Sequence, residues 1–243
     1  MIKIVSCFWN VEKYISDCIN SVMSQKLTEF KMYLIDDVSD DNTVKIIKDL
    51  IKNDDRFILI ENTEKKFKLK NIDDLLLNEE LFDDEDIIVE LDGDDTFFKP
   101  DTLSTINDVY NKDKNIWITN GSFIYSNGLF GFSDKVNPNT IRNDVFKFSH
   151  LRTWKVHLWR NIDEESFLDD DGTYFKSAAD VAYSLPMVEM AGDKHYKFIS
   201  DILYVYNEQN PFNDHKPDSR SGSQFEQIRC NQIIRNKKKY NRL

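Results

Sequence analysis

The sequence predicts an α/β domain: a mostly parallel sheet with helices on both faces, followed by a mixed second half. Three observations carry this. In the first hundred residues four short apolar runs alternate with segments whose apolar residues recur every three or four positions. Such alternation implies parallel strands joined by helical crossovers. Two of the apolar runs end in clustered aspartates, Asp36/Asp37 and Asp92/Asp94/Asp95. After residue 100 the alternation gives way to shorter runs, glycine-containing stretches and an aromatic segment.

Residues 2–8 (IKIVSCF) read as a buried strand. Residues 11–25 read as a helix, because Val11, Tyr14, Ile15, Cys18, Ile19 and Val22 share one face. A second strand spans 30–35 and runs into Asp36 and Asp37. Val44, Ile47, Leu50 and Ile51 give residues 42–51 the same helical period. Residues 57–60 form a third strand, 72–77 begin another helix, 79–86 are a charged loop and 87–91 are the fourth strand. Ligands of such sheets bind beyond the carboxyl ends of the strands, so the two aspartate clusters are expected to converge in space. Further on, 101–111 is a helix preceded by Pro100 and capped by Asp101. Residues 115–119 are a short strand, and 120–143 are irregular or hairpin-like, with Gly121, Gly128, Gly131 and Pro138. Residues 145–161 are amphipathic and aromatic. Residues 174–191 are helical with Pro186 as a break or kink, 198–206 are a strand, 207–223 a polar loop and 224–240 a final helix. No internal repeat is present.

A chain of 243 residues can bury a real core, and 40% hydrophobic with 13% aromatic content fits a globular protein. No apolar run reaches the length of a membrane span, and the chain opens in a strand rather than a signal peptide. Cys7, Cys18 and Cys230 have neither zinc-site nor disulfide-framework spacing, so a reducing cytoplasm is expected. With seven glycines there is no GxxxxGK[ST] and no GxGxxG. The net charge of −11 is uneven: residues 73–101 hold thirteen acids and one lysine, whereas 216–243 hold eight Lys/Arg and two acids. Overall acidity disfavours nucleic acid as the main partner. The basic tail reads as a solvated helix face, with weak contact to an anionic membrane surface or a diphosphate as the alternative.

The segment 87–98, IIVELDGDDTFF, carries the chemistry. A buried strand that ends in three carboxylates sets like charges side by side at the edge of a core. That disfavours the ionised forms unless a cation sits among them. Oxygen ligands suit Mg²⁺ or Mn²⁺, which commonly arrive with a phosphate-bearing substrate. The plain alternative is an acidic turn after a strand.

The first hundred residues resemble the family 2 glycosyltransferases, which have the GT-A fold. IKIVSCFWNVEKYISDCINSVMSQ is similar to the family's opening strand, Asn-containing turn and first helix. YLIDDVSDDNT is similar to its second strand and D-D-x-S-x-D-x-T turn, Lys70-Asn71 to a basic-Asn pair, and VELDGDD to its D-x-D-D metal motif. Four weak features in the right order and spacing make a strong one. Beyond residue 100, WITNG, HLRTWKVHLW, SAADVAYSLPMVEMAG and LYVYNEQNPFNDHK resemble a narrower group of stand-alone sugar transferases, several viral or bacterial. Val38 stands where the family usually has Gly, and Cys7 where it often has Pro. The Q-x-x-R-W motif of processive synthases is absent, so transfer of one sugar is expected.

The resemblance implies a metal-dependent glycosyltransferase with a GT-A-like, Rossmann-related sheet. Residues 1–100 would form the nucleotide-sugar-binding half, 101–223 the acceptor-binding half of the same domain, and 224–243 a basic C-terminal helix. The donor would be a nucleotide-diphosphate sugar, the acceptor a glycan or other hydroxyl compound, the cofactor Mn²⁺ or Mg²⁺, the outcome inversion, and the setting the cytoplasm of a bacterium or a virus-infected host. Asp94 would be the direct metal ligand, Asp92 would contact ribose or the metal through water, and Asp95 would hold the loop or the donor sugar. His215 would be a third metal ligand, or else a solvated loop side chain, and Lys216 would reach a phosphate. Asp37, with Asp36 beside it, would accept a hydrogen bond from a base N–H such as the imide of uracil; the alternative is a turn-capping role before Ser39. Asn10 and Asn71 belong to the donor side. Phe8 or Trp9 would stack on the base, with core packing the alternative for both and the favoured one for Phe8. Arg152 would contact donor phosphate or acceptor, or else form an exposed ion pair. Asp180 would be the general base; its alternative is an ordinary first-turn helix acid. His150, His157 and His195 have no metal-ligand spacing and read as structural.

Two rival readings remain. Asp92-Gly93-Asp94-Asp95-Thr96 also fits the D-x-D-x-T nucleophile motif of the haloacid dehalogenase phosphatases, with Asp92 as nucleophile and Gly192-Asp193 as a forced later motif. In those enzymes the motif follows the opening strand, whereas here three strand–helix units precede it. The other rival is a non-catalytic nucleotide- or sugar-binding module on the same fold.

Overall fold

The four apolar runs of the first ninety residues lie side by side. A computed structural model of the chain describes residues 1–211 and 224–243. In it β1 (Ile2–Phe8), β2 (Phe30–Asp36), β3 (Phe57–Glu61) and β4 (Ile87–Glu90) pair in parallel in the order β3-β2-β1-β4. Their side chains alternate between two cores. Ile4, Met32 and Leu34 pack with Ile15, Cys18, Ile19 and Val22 of α1 (Ile15–Met23) and Ile47 of α2 (Thr43–Ile51). Val5, Tyr33 and Ile35 pack on the other face with Leu69, Ile72, Leu75 and Leu76 of α3 (Phe67–Leu76). The period of two along the strands therefore puts helices on both faces, as the sequence predicts.

The second half completes the sheet with mixed polarity. β5 (Thr96–Phe97) follows the acidic motif, α4 (Thr102–Lys112) leads to β6 (Ile118–Tyr125), and β7 (Thr153–Lys155) runs straight into α5 (Val156–Arg160). α6 (Ala179–His195) and β8 (Tyr196–Tyr206) close the sheet in the order β3-β2-β1-β4-β7-β6-β8-β5. β7 is antiparallel to β4 and β6, β6 is parallel to β8, and β5 is antiparallel to β8. The sheet is thus parallel through its first half and mixed as a whole. Insertion of β7 beside β4 brings Arg152 against Glu90, and pairing of β5 with β8 brings Tyr204 opposite Phe97.

Several element bounds differ from expectation for physical reasons. α3 begins at Phe67 rather than 72, because Lys66, Lys68 and Lys70 dilute its apolar period. β6 runs to Tyr125 instead of stopping at 119; its pairing with β8 shifts register between Gly121 and Phe123, which breaks the alternation. α6 begins at Ala179 rather than 174, since Ala178 adopts a left-handed backbone (φ 56°) and Tyr174 pairs with Leu168. The dihedral break inside α6 falls at Gly192 (φ 60°), not at Pro186.

α7 (Gln224–Asn236) ends four residues before the expected 240, and the basic run behind it is not a solvated helix face. Arg142 pairs with buried Glu189 at 2.6 Å and donates to the carbonyls of Ile234 (2.9 Å) and Lys238 (2.8 Å). Cations suit the orphan carbonyls of a helix C-terminus. Tyr240 N–H donates to Glu189 (3.0 Å), and Lys238 pairs with Asp163 (2.7 Å). The tail is fastened to the body by these contacts. Among the described residues no helix is long and apolar enough to cross a membrane.

Candidate functional site

Both aspartate clusters sit at the carboxyl edge of the parallel strands. In register, Phe8 pairs with Asp36 and Val5 with Glu90, so the residues after β1, β2 and β4 emerge together. Asp37 N–H donates to the Phe8 carbonyl (2.9 Å). The Asp37 carboxylate is buried and accepts from Asn62 Nδ2 (3.0 Å), Lys66 N–H (2.8 Å) and Phe67 N–H (3.0 Å), pinning the turn that starts α3. Asp36 Oδ2 accepts from Ser39 N–H (3.1 Å), while its buried Oδ1 has no hydrogen-bond partner. Asn71, also buried, accepts from Asn62 (2.7 Å) and leaves Nδ2 unpartnered.

Asn10 ties the opening turn to the second-strand turn. Its backbone is left-handed (φ 51°), which Asn tolerates better than most residues. Its side chain accepts from Asp40 N–H (3.0 Å) and donates to the Asp40 carboxylate (2.5 Å), and its N–H donates to Ser39 Oγ (2.9 Å). Val38, in the same turn, also has a positive φ (66°). Phe8 is core, as its alternative reading expected, whereas Trp9 is half-buried with Lys65 Nζ 4.2 Å from its ring centroid. Gly93 lies against Phe8: a Cβ there would come within 2.7 Å of the Phe8 Cβ, so the position between Asp92 and Asp94 has room only for glycine.

A buried charge network underlies the acidic motif. Glu90 Oε2 accepts from Arg152 Nε (2.5 Å) and Tyr183 Oη (2.5 Å), and Lys68 Nζ is 2.7 Å from Oε1. Lys68 also reaches Asp92 Oδ1 (2.5 Å), and Arg152 Nη1 reaches Asp180 Oδ2 (3.3 Å). Burial opposes the ionised Glu90, but Arg152 and Lys68 outweigh it and hold the carboxyl well below the usual range. Arg152 is therefore neither exposed nor free: it is buried and joins Glu90 to Asp180. Asp180 lies in the first turn of α6, accepts from Val181 N–H (2.9 Å), and leaves its side chain one-third exposed (33%) toward solvent.

The remaining acids are crowded. Asp94 accepts from Asn210 Nδ2 (2.6 Å), and Asp95 accepts from Tyr204 Oη (2.6 Å) and Asn207 N–H (2.7 Å). Burial, reinforced by Asp92, pushes Asp94 up to about 6; burial and then Asp94 and Asp92 push Asp95 well above its ordinary value. Beside them sits His150, stacked on Tyr204 with ring centroids 4.4 Å apart. One ligand atom each from Asp92, Asp95 and His150 lie within 4.8 Å of one another; Asp94 stands outside that group. Burial, then the Arg152 charge, keeps His150 neutral, and its buried Nδ1 has no partner. Carboxylates raised by burial and then by mutual repulsion, beside a neutral imidazole, suit a divalent cation. His157 and His195 instead pack on Trp117. His215 and Lys216 lie outside the described residues.

Sequence reasoning passed over Lys68, Glu90, Tyr183 and Tyr204. Glu90 had a visible signal, since a lone acid inside an apolar strand has to be paired. Lys68 is one of several lysines in KKFKLK, and no local pattern separates it from its neighbours. Gly192, which the phosphatase reading used, packs beneath Arg242 of the tail.

The sequence profile of glycosyl transferase family 2 matches residues 3–164. The chain is 27% identical over 201 residues to a chondroitin synthase of Escherichia coli, an alignment covering 81% of this chain and 27% of that protein. In structure it is similar to residues 1–349 of TarS from S. aureus in complex with UDP-GlcNAc (TM-score 0.65, 18% identity, 86% of this chain and 59% of that one). It is also similar to the mannosyltransferase PcManGT from Pyrobaculum calidifontis in complex with GDP-Man and Mn²⁺ (TM-score 0.58, 16% identity, 87% and 57%). The chain thus spans about a quarter of the chondroitin synthase and under two-thirds of either structural neighbour. The structural likeness fixes the GT-A fold, and the profile covers two-thirds of the chain: this protein belongs to glycosyl transferase family 2.

Proposed function

We propose that this chain is a metal-dependent glycosyltransferase that moves one sugar from a nucleotide-diphosphate sugar to an acceptor hydroxyl, with inversion. The observation that carries the proposal is the path from Asp92 through Lys68, Glu90 and Arg152 to Asp180. It ties the donor-side acidic motif to a partly exposed carboxylate at the start of α6. Residues 1–100 form the donor half, 101–223 the acceptor half, and 224–243 fasten the second half from behind.

Asp36 and Asp37, with Asn10, Asn71 and Trp9, line the place for the nucleotide base. The unpartnered Asp36 Oδ1 suits a base N–H donor. TarS is in complex with UDP-GlcNAc and PcManGT with GDP-Man, and both uracil and guanine carry such a group. Asp94, Asp92 and His215 would hold Mn²⁺ or Mg²⁺, which would supply neutralising charge to the departing diphosphate. Asp95 fixes the following loop, and Lys216 reaches a phosphate. Asp180 takes the proton of the acceptor hydroxyl; that oxygen bonds to the anomeric carbon as the nucleoside diphosphate leaves from the opposite face. Arg152 orients Asp180 for this step. The three free cysteines suit a reducing, cytoplasmic setting.

The test is a thermal-shift screen of UDP, GDP and their sugar conjugates with and without Mn²⁺, followed by transfer assays on the best donor. A ligand that binds only the folded state raises Tm. A metal-dependent shift is expected with one nucleotide class. Asp180→Asn is expected to keep that shift and lose transfer by roughly 10²–10⁴-fold. Retained transfer in that variant would refute the base assignment, and the absence of any nucleotide shift would refute the function.

A further inference from the structure

We propose that His150 is itself a ligand of the divalent cation, joining the acidic motif from the segment that leads into β7. The inference rests on the reading of that motif as a metal site. It adds a residue that neither the acidic motif nor the late loop supplies.

The geometry is that of a site waiting to close. Ligand atoms of Asp92, Asp95 and His150 lie within 4.8 Å of one another. Ligands about 2.0–2.2 Å from a shared ion stand roughly 3–4.3 Å apart, so a small contraction brings His150 onto an ion held by Asp92. The imidazole is 7% exposed, and its Nδ1 is buried without a hydrogen-bond partner. A buried polar atom left unpaired calls for an explanation. Coordination through Nδ1, one of the two ring nitrogens that can ligate, would supply one.

Packing fixes the ring where it is needed. Tyr204 stacks on it with an interplanar angle of 10°, and Phe123 meets it edge-on at 5.5 Å. The same Tyr204 hydroxyl donates to Asp95, so one residue positions both the ring and the carboxylate beside it. Metal-site ligands held in this way by their neighbours lose little freedom on binding. A nitrogen ligand also favours a transition-metal ion over Mg²⁺, so the chain is expected to prefer Mn²⁺.

Electron spin-echo modulation of bound Mn²⁺ tests this directly, because nitrogen bonded to Mn²⁺ modulates the echo whether or not the enzyme turns over. The full chain is loaded with Mn²⁺ and UDP, as wild type, His215→Gln, His150→Gln, His150→Phe and the His150→Gln/His215→Gln pair. Folding is checked by circular dichroism. Nitrogen modulation is expected in wild type and in His215→Gln, and its loss is expected in the double variant. His150→Phe keeps the stack on Tyr204 and is expected to weaken Mn²⁺ binding about 10–100-fold. Modulation that vanishes in His215→Gln while Mn²⁺ stays bound, or that is unchanged in His150→Gln, overturns the role of His150 and leaves the metal reading intact. Absence of Mn²⁺ binding in the wild type overturns both. Should the His150 variants fail to fold, wild type and His215→Gln still decide.

Discussion

Two aspartate clusters share the carboxyl edge of one sheet and are handled in opposite ways. Asp36 and Asp37 are held by neutral donors: Ser39 N–H, Lys66 N–H, Phe67 N–H and the Asn62 amide. That cluster is a fixed turn, shaped before any ligand arrives. Asp92, Asp94 and Asp95 are held against one another, with Lys68 as the nearest cation and with Asp94 and Asp95 raised by burial and mutual repulsion. The same residue type thus builds a rigid, hydrogen-bonded turn in one place and a charge imbalance in the other. What decides is the partner: backbone N–H groups satisfy a carboxylate, whereas neighbouring carboxylates leave it in want of a cation.

The largest effect is expected at the network beneath the second cluster. Arg152→Met keeps much of the side-chain volume but leaves Glu90 with Lys68 and Tyr183 alone and Asp180 without its orienting guanidinium. Removing one partner of a buried ion pair typically costs about 3–5 kcal/mol. Urea unfolding should show a loss of that order. Lys48→Met breaks an ion pair whose side chains are 56% and 47% exposed, and should change stability by less than about 1 kcal/mol. Equal losses in the two variants would mean that the network is not a buried one in solution.

A change of opposite sign is expected one residue pair away. Burial, and then the Asp92 charge, push the Asp94 carboxyl up to about 6, above the ordinary carboxylate range. Below about pH 4 the group is protonated in both states and has no effect. Between about pH 4 and 6 the unfolded chain releases its proton first, so stability falls as pH rises, and above 6 the full penalty applies. Asp94→Asn should therefore stabilise the metal-free protein at pH 7, by about 2 kcal/mol once partial exposure is allowed for, and flatten that part of the pH profile. The same variant should lose most of its Mn²⁺ binding. Urea midpoints from pH 4 to 7, taken in EDTA and in Mn²⁺, measure both effects. A destabilised metal-free variant would show that Asp94 is held as the first cluster is held, by satisfied hydrogen bonds.

The parallel half of the fold was legible because each element repeats a period: every second residue for β1 and β2, every third or fourth for α1 and α2. The acidic residues of the site were legible because strands of known order carry them to one edge. The supporting network was not, because Arg152, Tyr183 and Tyr204 reach β4 and its acids from 62, 93 and 109 residues further along the chain. No local pattern encodes such a meeting. β5 is two residues long, and β6 changes register partway along, so neither leaves a period to read. His150 looked structural for the same reason: its nearness to Asp92 and Asp95 exists only once β7 has been inserted beside β4.

The smallest effect belongs to the first cluster and asks how rigid that turn is. Val38 has a φ of 66° and is 40% exposed. For a β-branched residue that conformation is strained, by about 1–2 kcal/mol. Glycine, which the family usually places there, removes the strain but adds about 0.5–1 kcal/mol of unfolded-state entropy. Little buried surface is lost at so exposed a position. Val38→Gly should therefore stabilise the chain by no more than about 1 kcal/mol, a rise in Tm of roughly 2–4 °C. Val38→Ala keeps the Cβ and should gain less. Binding of whichever nucleotide the thermal-shift screen selects should stay within about twofold in both variants if the hydrogen bonds to Asp36 and Asp37, rather than the residue at 38, hold the turn in shape. A glycine variant that binds that nucleotide markedly more weakly would show instead that the stiffness of Val38 is part of how this edge is kept in shape.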